Sequence, residues 1–471
     1  MRKTKIICTI GPASQDEATL AKLFKAGMNV ARINFSHDTH DVQQKKMDTI
    51  KKVREEMGLP IAIMLDTKGP EYRIGTFEGE KAQIKDGQTF TFTTDDIVGD
   101  NTKVSVSYKK LAQELKPGDT ILVSNGILVF EVQKIDGNDI ICKVVSGGEI
   151  ADRKSMNFPG HVMTGDFLSE QDKKDLLLGI RNDIDFVAAS FVSSKKDVLE
   201  MREFLNSNGG EGIDIIAKIE NQTGVDNIDE ICEVADGIMV ARGDLGVEIP
   251  FVEVPAVQKY LIARCRLLGK RVITATEMLE SMIKSPRPTR AEISDVANAV
   301  YDGSSAVMLS GETAMGKHPV DAVRYMAQIA ERTERDIDYA KRFRDTEFKI
   351  RSNIDAVSHA TCAMAIDTGA SAIAINSLSG STVRMVSRVR CPVDIVGITT
   401  SAKACRKLNL NWGVTPVLSK GFESIDDMFD NALLCAKEKF GLKPGSNVVI
   451  TGGPRGMKSG NTNTIRLESV K

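Results

Sequence analysis

The sequence predicts an α/β protein: a (β/α)8 barrel of the TIM type, interrupted once by an all-β module and followed by a separate α/β domain. Three observations carry this expectation. Eight short runs rich in Val, Ile and Ala recur through the first two thirds of the chain, each closed by a polar or glycine cluster and most followed by helical periodicity. Between the third and fourth runs lies a stretch of alternating strands punctuated by hairpin dipeptides. At 471 residues the chain also exceeds what one core serves, a domain running on the order of 150 residues.

The barrel strands begin with KTKIICTIG from Lys3, NVARINFS from Asn29 and IAIMLDTKG from Ile61. They continue with IDFVAASF from Ile184, IDIIAKIEN from Ile213, GIMVARGDLG from Gly237, RVITATEM from Arg271 and SAVMLSGET from Ser305. Near-continuous apolar strands separated by helices indicate a parallel sheet buried on both faces, and eight such units suggest closure. From about Tyr72 to Phe167, GQTFTFTT, KVSVSY, DTILVS, ILVFEVQKI and DIICKVVSGG are broken by Asp-Gly, Pro-Gly, Asn-Gly and Gly-Asn, which is turn chemistry. Removing that insert leaves roughly the 250 residues typical of a barrel of this kind. After the helical stretch VDAVRYMAQIAERTERDIDYAKRF the pattern restarts with SHATCAMAIDTG, AIAINS, STVRMVSRVR, DIVGIT, TPVLS and NVVITGG, which suggests a small, mostly parallel open sheet. The expected division is 1–70 with 168–345 as the barrel, 71–167 as the inserted β module, and 346–471 as the separate α/β domain.

Composition narrows the function. The 64 acidic and 62 basic residues nearly cancel, so a net charge of -2 supplies no field to recruit nucleic acid or an anionic bilayer. No apolar run approaches the roughly eighteen residues of a membrane span, and no cleavage signature follows the first strand, so a cytoplasmic protein is expected. The eight cysteines are scattered, without a CxxC pair, and read as buried reduced thiols.

Chemistry in such barrels gathers at the C-terminal strand ends, which are unusually charged in this chain. The second strand delivers Arg32, Asn34, Ser36 and His37; the third, Asp66, Thr67, Lys68 and Glu71, with Arg73 beyond. The fifth gives Lys218 and Glu220, the sixth Arg242 and Asp244, the seventh Thr276 and Glu277, the eighth Ser310 and Glu312. Any one of these could be a solvated strand cap; the whole set is hard to explain that way. Strand alternation puts Lys218 and Glu220 on one side, and a cation and carboxylate aimed into a barrel mouth suit an anionic substrate and a divalent metal. Asp244, in the glycine-bracketed RGDLG, adds a second carboxylate, and two carboxylates with few rivals resemble a Mg²⁺ or Mn²⁺ site. Zinc is a poor rival, because the five histidines are dispersed. GETAMGKH from Gly311 falls one residue short of a phosphate-binding P-loop and places His318 where a hydroxyl is needed.

Taken in order, TKIICTIGPAS, ARINFSH, LDTKGPEYRIG, AKIENQTG, DGIMVARGDLGVEIP, ATEMLESMIKSPRPTRAEISDVANAV and DGSSAVMLSGETA resemble pyruvate kinase, and the resemblance spans essentially the whole chain. It implies a barrel, an inserted β lid and a C-terminal α/β domain. It also implies transfer of the phosphoryl group of phosphoenolpyruvate to ADP, giving pyruvate and ATP. Carried over by motif, Arg32, Lys218, Thr276 and the Ala241, Arg242, Gly243 and Asp244 loop would surround phosphoenolpyruvate, while Glu220 and Asp244 would hold Mg²⁺ (or Mn²⁺). Asn34, Ser36, Asp66 and Thr67 resemble the K⁺ ligands; His37, Arg73 and Lys154 would face the nucleotide phosphates. Thr276 would take part in delivering the proton that turns enolpyruvate into pyruvate. Departures from the pattern at Ser124 and Asn125, at Ser155 and at Glu277 bear on nucleotide affinity and lid closure.

Two further expectations concern regulation. SLSGSTVR offers Ser377, Ser379, Gly380, Ser381 and Thr382 between a strand and a helix N-terminus, and the loop from Gly452 would bring Arg455 and Lys458 over a sugar-phosphate or nucleotide effector. An ordinary strand-to-helix turn is the alternative. Regulation of that kind suggests a homotetramer. The rival enzyme is a metal-dependent barrel aldolase acting on pyruvate, which has no need of ARINFSH or of a lid; a binding protein that has lost catalysis is the third reading.

Overall fold

The computed structural model describes residues 1–161, 163–453 and 462–471. Eight parallel strands close into a barrel: Lys5–Thr9, Val30–Asn34, Ala62–Asp66, Phe186–Ala189, Asp214–Ile219, Gly237–Ala241, Arg271–Ala275 and Ala306–Leu309. They are the eight runs expected from the sequence. Alternation divides each strand between two cores. Ile7, Met64, Phe186, Ile216, Met239 and Ile273 fill the barrel interior, while Ile6, Ile33, Leu65, Val187, Ile215 and Val240 pack outward under the helices.

The interior also receives Leu410, fully buried, from the C-terminal part of the chain. It stops the end of the barrel at which the strands begin. Asn409 beside it donates to the carbonyls of Asn29 and Pro60, which precede the second and third strands. The helix Ala402–Leu408 is fixed against the same end by charge: Arg406 pairs with Asp183 and Asp185, and Lys407 with Asp214.

Between the third and fourth barrel strands the chain makes a seven-stranded sheet, in the order Tyr72–Arg73, Ser155–Asn157, Thr120–Val123, Leu128–Asp136, Asp139–Ser146, Thr89–Thr93 and Lys103–Ser105. Its edges meet through an Ile74 to Val106 bridge and the Ser107 N–H to Arg73 carbonyl bond, so the sheet curls back on itself. Phe90, Phe92 and Phe130, with ring centroids 4.8–5.5 Å apart, fill its middle. Big rings on alternate positions of neighbouring strands give so small a sheet a core of its own.

The C-terminal sheet runs Val414–Leu418, Asp394–Thr399, Ala372–Asn376, Asn447–Gly452 and Thr464–Ser469. The first four are parallel, and the last pairs antiparallel with Asn447–Gly452 as an exposed edge. That last strand is absent from the apolar runs read in the sequence, because TIRLES has few apolar positions to bury. One local expectation fails. RGDLG is not a loop: Arg242–Glu248 forms a helix directly after the sixth barrel strand, putting Asp244 in its first turn. The two glycines weaken the helical pattern in the sequence, while the strand end and the barrel fix the entry of the chain.

Candidate active site

A cavity of about 760 Å³ opens where the C-terminal ends of the barrel strands face the inserted sheet. From the barrel it is lined by Arg32, Asn34, Ser36, His37, Asp66, Glu71, Lys218, Glu220 and Asp244; from the insert side by Arg73, Ser124, Asn125, Lys154 and Ser155. The sequence therefore singled out residues that the fold brings to one place. Thr67, Ala241, Arg242, Gly243, Thr276 and Glu277 do not line it; they stand immediately behind.

The floor is a buried charge cluster. Lys218 Nζ lies 2.9 Å from Glu220 Oε1, 3.2 Å from Asp66 Oδ1 and 2.8 Å from Ser190 Oγ. Arg32 Nε donates to Asp66 Oδ2 at 2.6 Å and its Nη1 to Thr9 Oγ1 at 2.9 Å. Burial pushes the Asp66 carboxyl up, but Arg32 and Lys218 outweigh it and hold the group below the usual carboxylate range. Burial likewise pulls the Lys218 ammonium down, and Asp66, Glu220 and Asp244 together hold it above its ordinary value, so it is cationic at neutral pH.

Glu220 is the opposite case. It is 0% exposed; burial, with the nearby charge of Asp244, pushes its carboxyl up to about 8 despite Lys218. Its Oε2 accepts from the Phe191 N–H at 2.6 Å, and its Oε1, although beside Lys218, has no aligned hydrogen-bond donor. A buried carboxylate oxygen without a donor, next to a second carboxylate, fits a divalent cation, which would relieve both the burial cost and the mutual repulsion. Among the described residues no group of three or more His, Cys, Asp and Glu side chains gathers as a metal cage. A hard cation held by two carboxylates would take its other oxygens from water and substrate. Asn34 pairs in register with Asp66 across the second and third strands, and with Ser36 it lines the same corner of the cavity. Amide, hydroxyl and carboxylate oxygens of that kind suit K⁺.

Behind the floor, Thr276 has φ 69° and Glu277 φ 53°. The left-handed region is costly for a β-branched residue, and the surroundings hold it there. Arg242 Nη2 donates to the Thr276 carbonyl at 2.6 Å and to the Glu277 carbonyl at 3.0 Å, while its Nη1 lies 2.8 Å from the Asp295 carboxylate. The Gly243 N–H donates to Thr276 Oγ1 at 2.8 Å, and that hydroxyl donates to the Ala275 carbonyl at 2.5 Å. Arg242 thus holds the Thr276 turn, and its guanidinium is spent there.

Several residues escaped the sequence reading. Ser190 orients Lys218 and donates to the Thr67 carbonyl at 2.7 Å; Phe191, at φ 57°, aims its N–H at Glu220. The fourth strand ends without a charge, so strand-end charge gave no signal there. Asn157 reaches from the insert to Glu248 at 2.8 Å, a tie that a single asparagine does not advertise. Glu312, read as a strand-end carboxylate, instead accepts from the N–H groups of Leu279 and Ser310 and braces two turns.

At the far end of the molecule Gly380, with φ 79°, precedes the helix Ser381–Arg388, and its N–H donates to Ser377 Oγ at 3.1 Å. Thr382 bonds Thr462 hydroxyl to hydroxyl at 2.6 Å. Arg455 and Lys458 lie outside the described residues. No helix among the described residues is long and apolar enough to cross a membrane.

Comparison with known proteins agrees with this geometry. Residues 1–323 match the family model "Pyruvate kinase, barrel domain", and residues 355–468 match "Pyruvate kinase, alpha/beta domain". The pyruvate kinase of Clostridium acetobutylicum is 46% identical over the full length of both chains, and that of Clostridium perfringens 44%. That of Geobacillus stearothermophilus is 44% identical, with all of this chain covering 80% of that one. The crystal structure of a pyruvate kinase from Cryptosporidium parvum superposes with a TM-score of 0.95 at 38% identity, covering 99% of this chain and 96% of the other. By its sequence from end to end and by its architecture, the chain belongs to the pyruvate kinase family of phosphotransferases.

Proposed function

We propose that the chain transfers the phosphoryl group of phosphoenolpyruvate to ADP, giving pyruvate and ATP as the last step of glycolysis in the cytoplasm. The observation that carries this reading is the Lys218, Asp66, Arg32 and Glu220 cluster on the floor of a cavity roofed by the inserted sheet.

Phosphoryl transfer needs little covalent help from the protein; it needs positioning and fixed positive charge beside the oxygens that share the negative charge of the transferred group. Lys218 is anchored on three sides by Asp66, Ser190 and Glu220, so its ammonium is preorganised and needs no reorientation during the reaction. Arg32, locked by Asp66 and Thr9, presents the rest of its guanidinium to an anionic substrate. In this reading Glu220 and Asp244 hold Mg²⁺ (or Mn²⁺), and Asn34, Ser36, Asp66 and Thr67 hold K⁺. When bound, these cations would supply further charge neutralisation at the phosphoryl oxygens. His37, Arg73 and Lys154 receive the phosphates of the nucleotide from the roof. The Thr276 hydroxyl, held between the Gly243 N–H and the Ala275 carbonyl, takes part in relaying a solvent proton to the methylene carbon of enolpyruvate. Closure of the insert over the cavity excludes water, which would otherwise compete with ADP.

The catalytic barrel, the lid and the C-terminal effector and assembly domain divide in this reading as 1–70 with 168–345, 71–167 and 346–471. A sugar phosphate or nucleotide at Ser377, Ser379, Gly380, Ser381 and Thr382 would tune a homotetramer. One coupled assay tests the core of the proposal: ADP-dependent pyruvate formation from phosphoenolpyruvate, with and without K⁺ and fructose 1,6-bisphosphate. Absence of ADP-dependent pyruvate would overturn the reaction. An unchanged phosphoenolpyruvate saturation curve would remove the regulation alone, and light scattering that gave a monomer under active conditions would remove the tetramer.

A further inference from the structure

A second cluster of charge lies at the opposite end of the barrel. Where the turn before the seventh barrel strand meets the helix Ser381–Arg388, the cavity wall carries Arg266, Lys270, Arg271, Arg384, Arg388 and Arg390, and no carboxylate. Six cations around one hollow repel one another, and burial adds to the cost.

Three of the six have acidic neighbours outside the cavity. Arg271 pairs with Asp214 at 2.7 Å, Arg388 with Asp355 at 3.0 Å and Arg384 loosely with Asp236 at 3.7 Å. Lys270 spends a proton on the Ala235 carbonyl. Arg266 and Arg390 form no ion pair among the described residues. Arg390 is only 3% exposed, and burial together with Arg266 pulls its guanidinium down to about 9.

Donors are also left over, although Arg390 Nη2 donates to the Gly303 carbonyl at 2.7 Å and to Ser305 Oγ at 3.1 Å. Of the fourteen buried side-chain nitrogen and oxygen atoms without a hydrogen-bond partner among the described residues, five belong to this one cavity: Nε of Arg266, Arg384, Arg388 and Arg390, and Nδ2 of Asn411. Asn411 Oδ1 accepts from Arg271 Nε at 2.7 Å, which leaves the amide NH₂ as the group still to be satisfied. Unpaired buried donors are costly, more so when charged, and such groups are retained where a partner completes them.

We propose that this cavity binds a phosphoryl-type oxyanion, either inorganic phosphate or the phosphate of a small phosphomonoester, between the barrel and the C-terminal domain. A tetrahedral anion offers several acceptors to guanidinium groups converging from different directions, and its charge removes their repulsion. The hollow has only about 10 Å³ of free room, enough for one water-sized group, so Arg266 and Arg384, both half-buried, move apart to admit the phosphate and then close on it. The site is separate from the active-site cavity and from the Ser377–Thr382 turn.

Its reporter is built in. Trp412, the one tryptophan of the chain, lines the cavity with Arg390 stacked 4.8 Å from its ring centroid. Inorganic phosphate and ribose 5-phosphate, titrated separately into the full-length protein at constant ionic strength, should give a saturable change in tryptophan fluorescence with at least one of them. Chloride should give none. Arg266→Gln with Arg384→Gln should move the midpoint at least tenfold higher, Arg384→Lys less, and Arg32→Gln in the active site should leave it unchanged. Saturation with inorganic phosphate identifies the free ion as sufficient; saturation with ribose 5-phosphate alone identifies a phosphomonoester. The proposal fails if neither anion gives saturation, if chloride matches them, if the double variant keeps its midpoint, or if Arg32→Gln abolishes the signal.

Discussion

Lys218 and Thr276 serve different halves of the proposed reaction, and they should fail differently. Lys218→Met removes the ammonium that Asp66, Ser190 and Glu220 hold in place. Losing one preorganised charge at a transition state costs about 3 kcal/mol or more, roughly a hundredfold in rate, so ATP formation should fall by at least that factor. Glu220 and Asp244 remain to bind metal and pyruvate. Exchange of pyruvate methyl protons with solvent deuterium, measured by NMR with ATP or phosphate present, should therefore stay within about tenfold of the parent. Thr276→Val should reverse the pattern. The methyl that replaces the hydroxyl cannot relay a proton, and it also strips the Gly243 N–H of its acceptor, at a local cost of about 1–3 kcal/mol. Thr276→Ser restores both functions and separates proton relay from loss of shape. Equal reduction of transfer and exchange in each variant would refute this division of labour.

Glu71, paired with Lys68 and Arg73, leaves the monovalent site without a fixed cation of its own. The enzyme should need K⁺, and Glu71→Lys should bring the rates in K⁺-containing and K⁺-free buffer within about twofold of each other at constant ionic strength. Arg242→Gln should release the strained Thr276 turn and slow proton exchange at least tenfold, while circular dichroism stays that of the parent. Lys5 is buried with its Nζ on the Val414 carbonyl, and burial, then Arg2, pulls it from 10.5 down to about 7. Between those values the unfolded chain binds the extra proton, so this lysine destabilises the fold fully below pH 7, and the penalty vanishes as pH rises toward 10.5. Urea titrations should show Lys5→Met gaining most stability over the parent below pH 7, and progressively less up to pH 10.

Much of this was legible from the chain because barrel physics writes itself plainly. Strands buried on both faces must be apolar throughout, and the charges that break the pattern stand at their ends, so Arg32, Asp66, Lys218 and Glu220 announce themselves. Ser190 and the Phe191 N–H do not, since an uncharged hydroxyl and a backbone group carry no pattern; only the fold shows that they aim Lys218 and Glu220. The helix holding Asp244 was hidden by its two glycines. The cationic hollow was illegible for another reason: Arg266 to Arg271 and Arg384 to Arg390 lie over a hundred residues apart, and each segment alone reads as an ordinary basic stretch.

Leu410 has a bearing on how the protein is made. The barrel's last strand ends at Leu309, yet the side chain that stops its lower opening arrives a hundred residues later. While the chain is being synthesised, the eight strands can leave the ribosome before Leu410, Asn409 and Arg406 exist to cover their starting ends. For that interval the interior around Ile7, Val30 and Phe186 faces water from below, and the carbonyls of Asn29 and Pro60 lack their donor. The barrel of this protein is thus finished from its other domain.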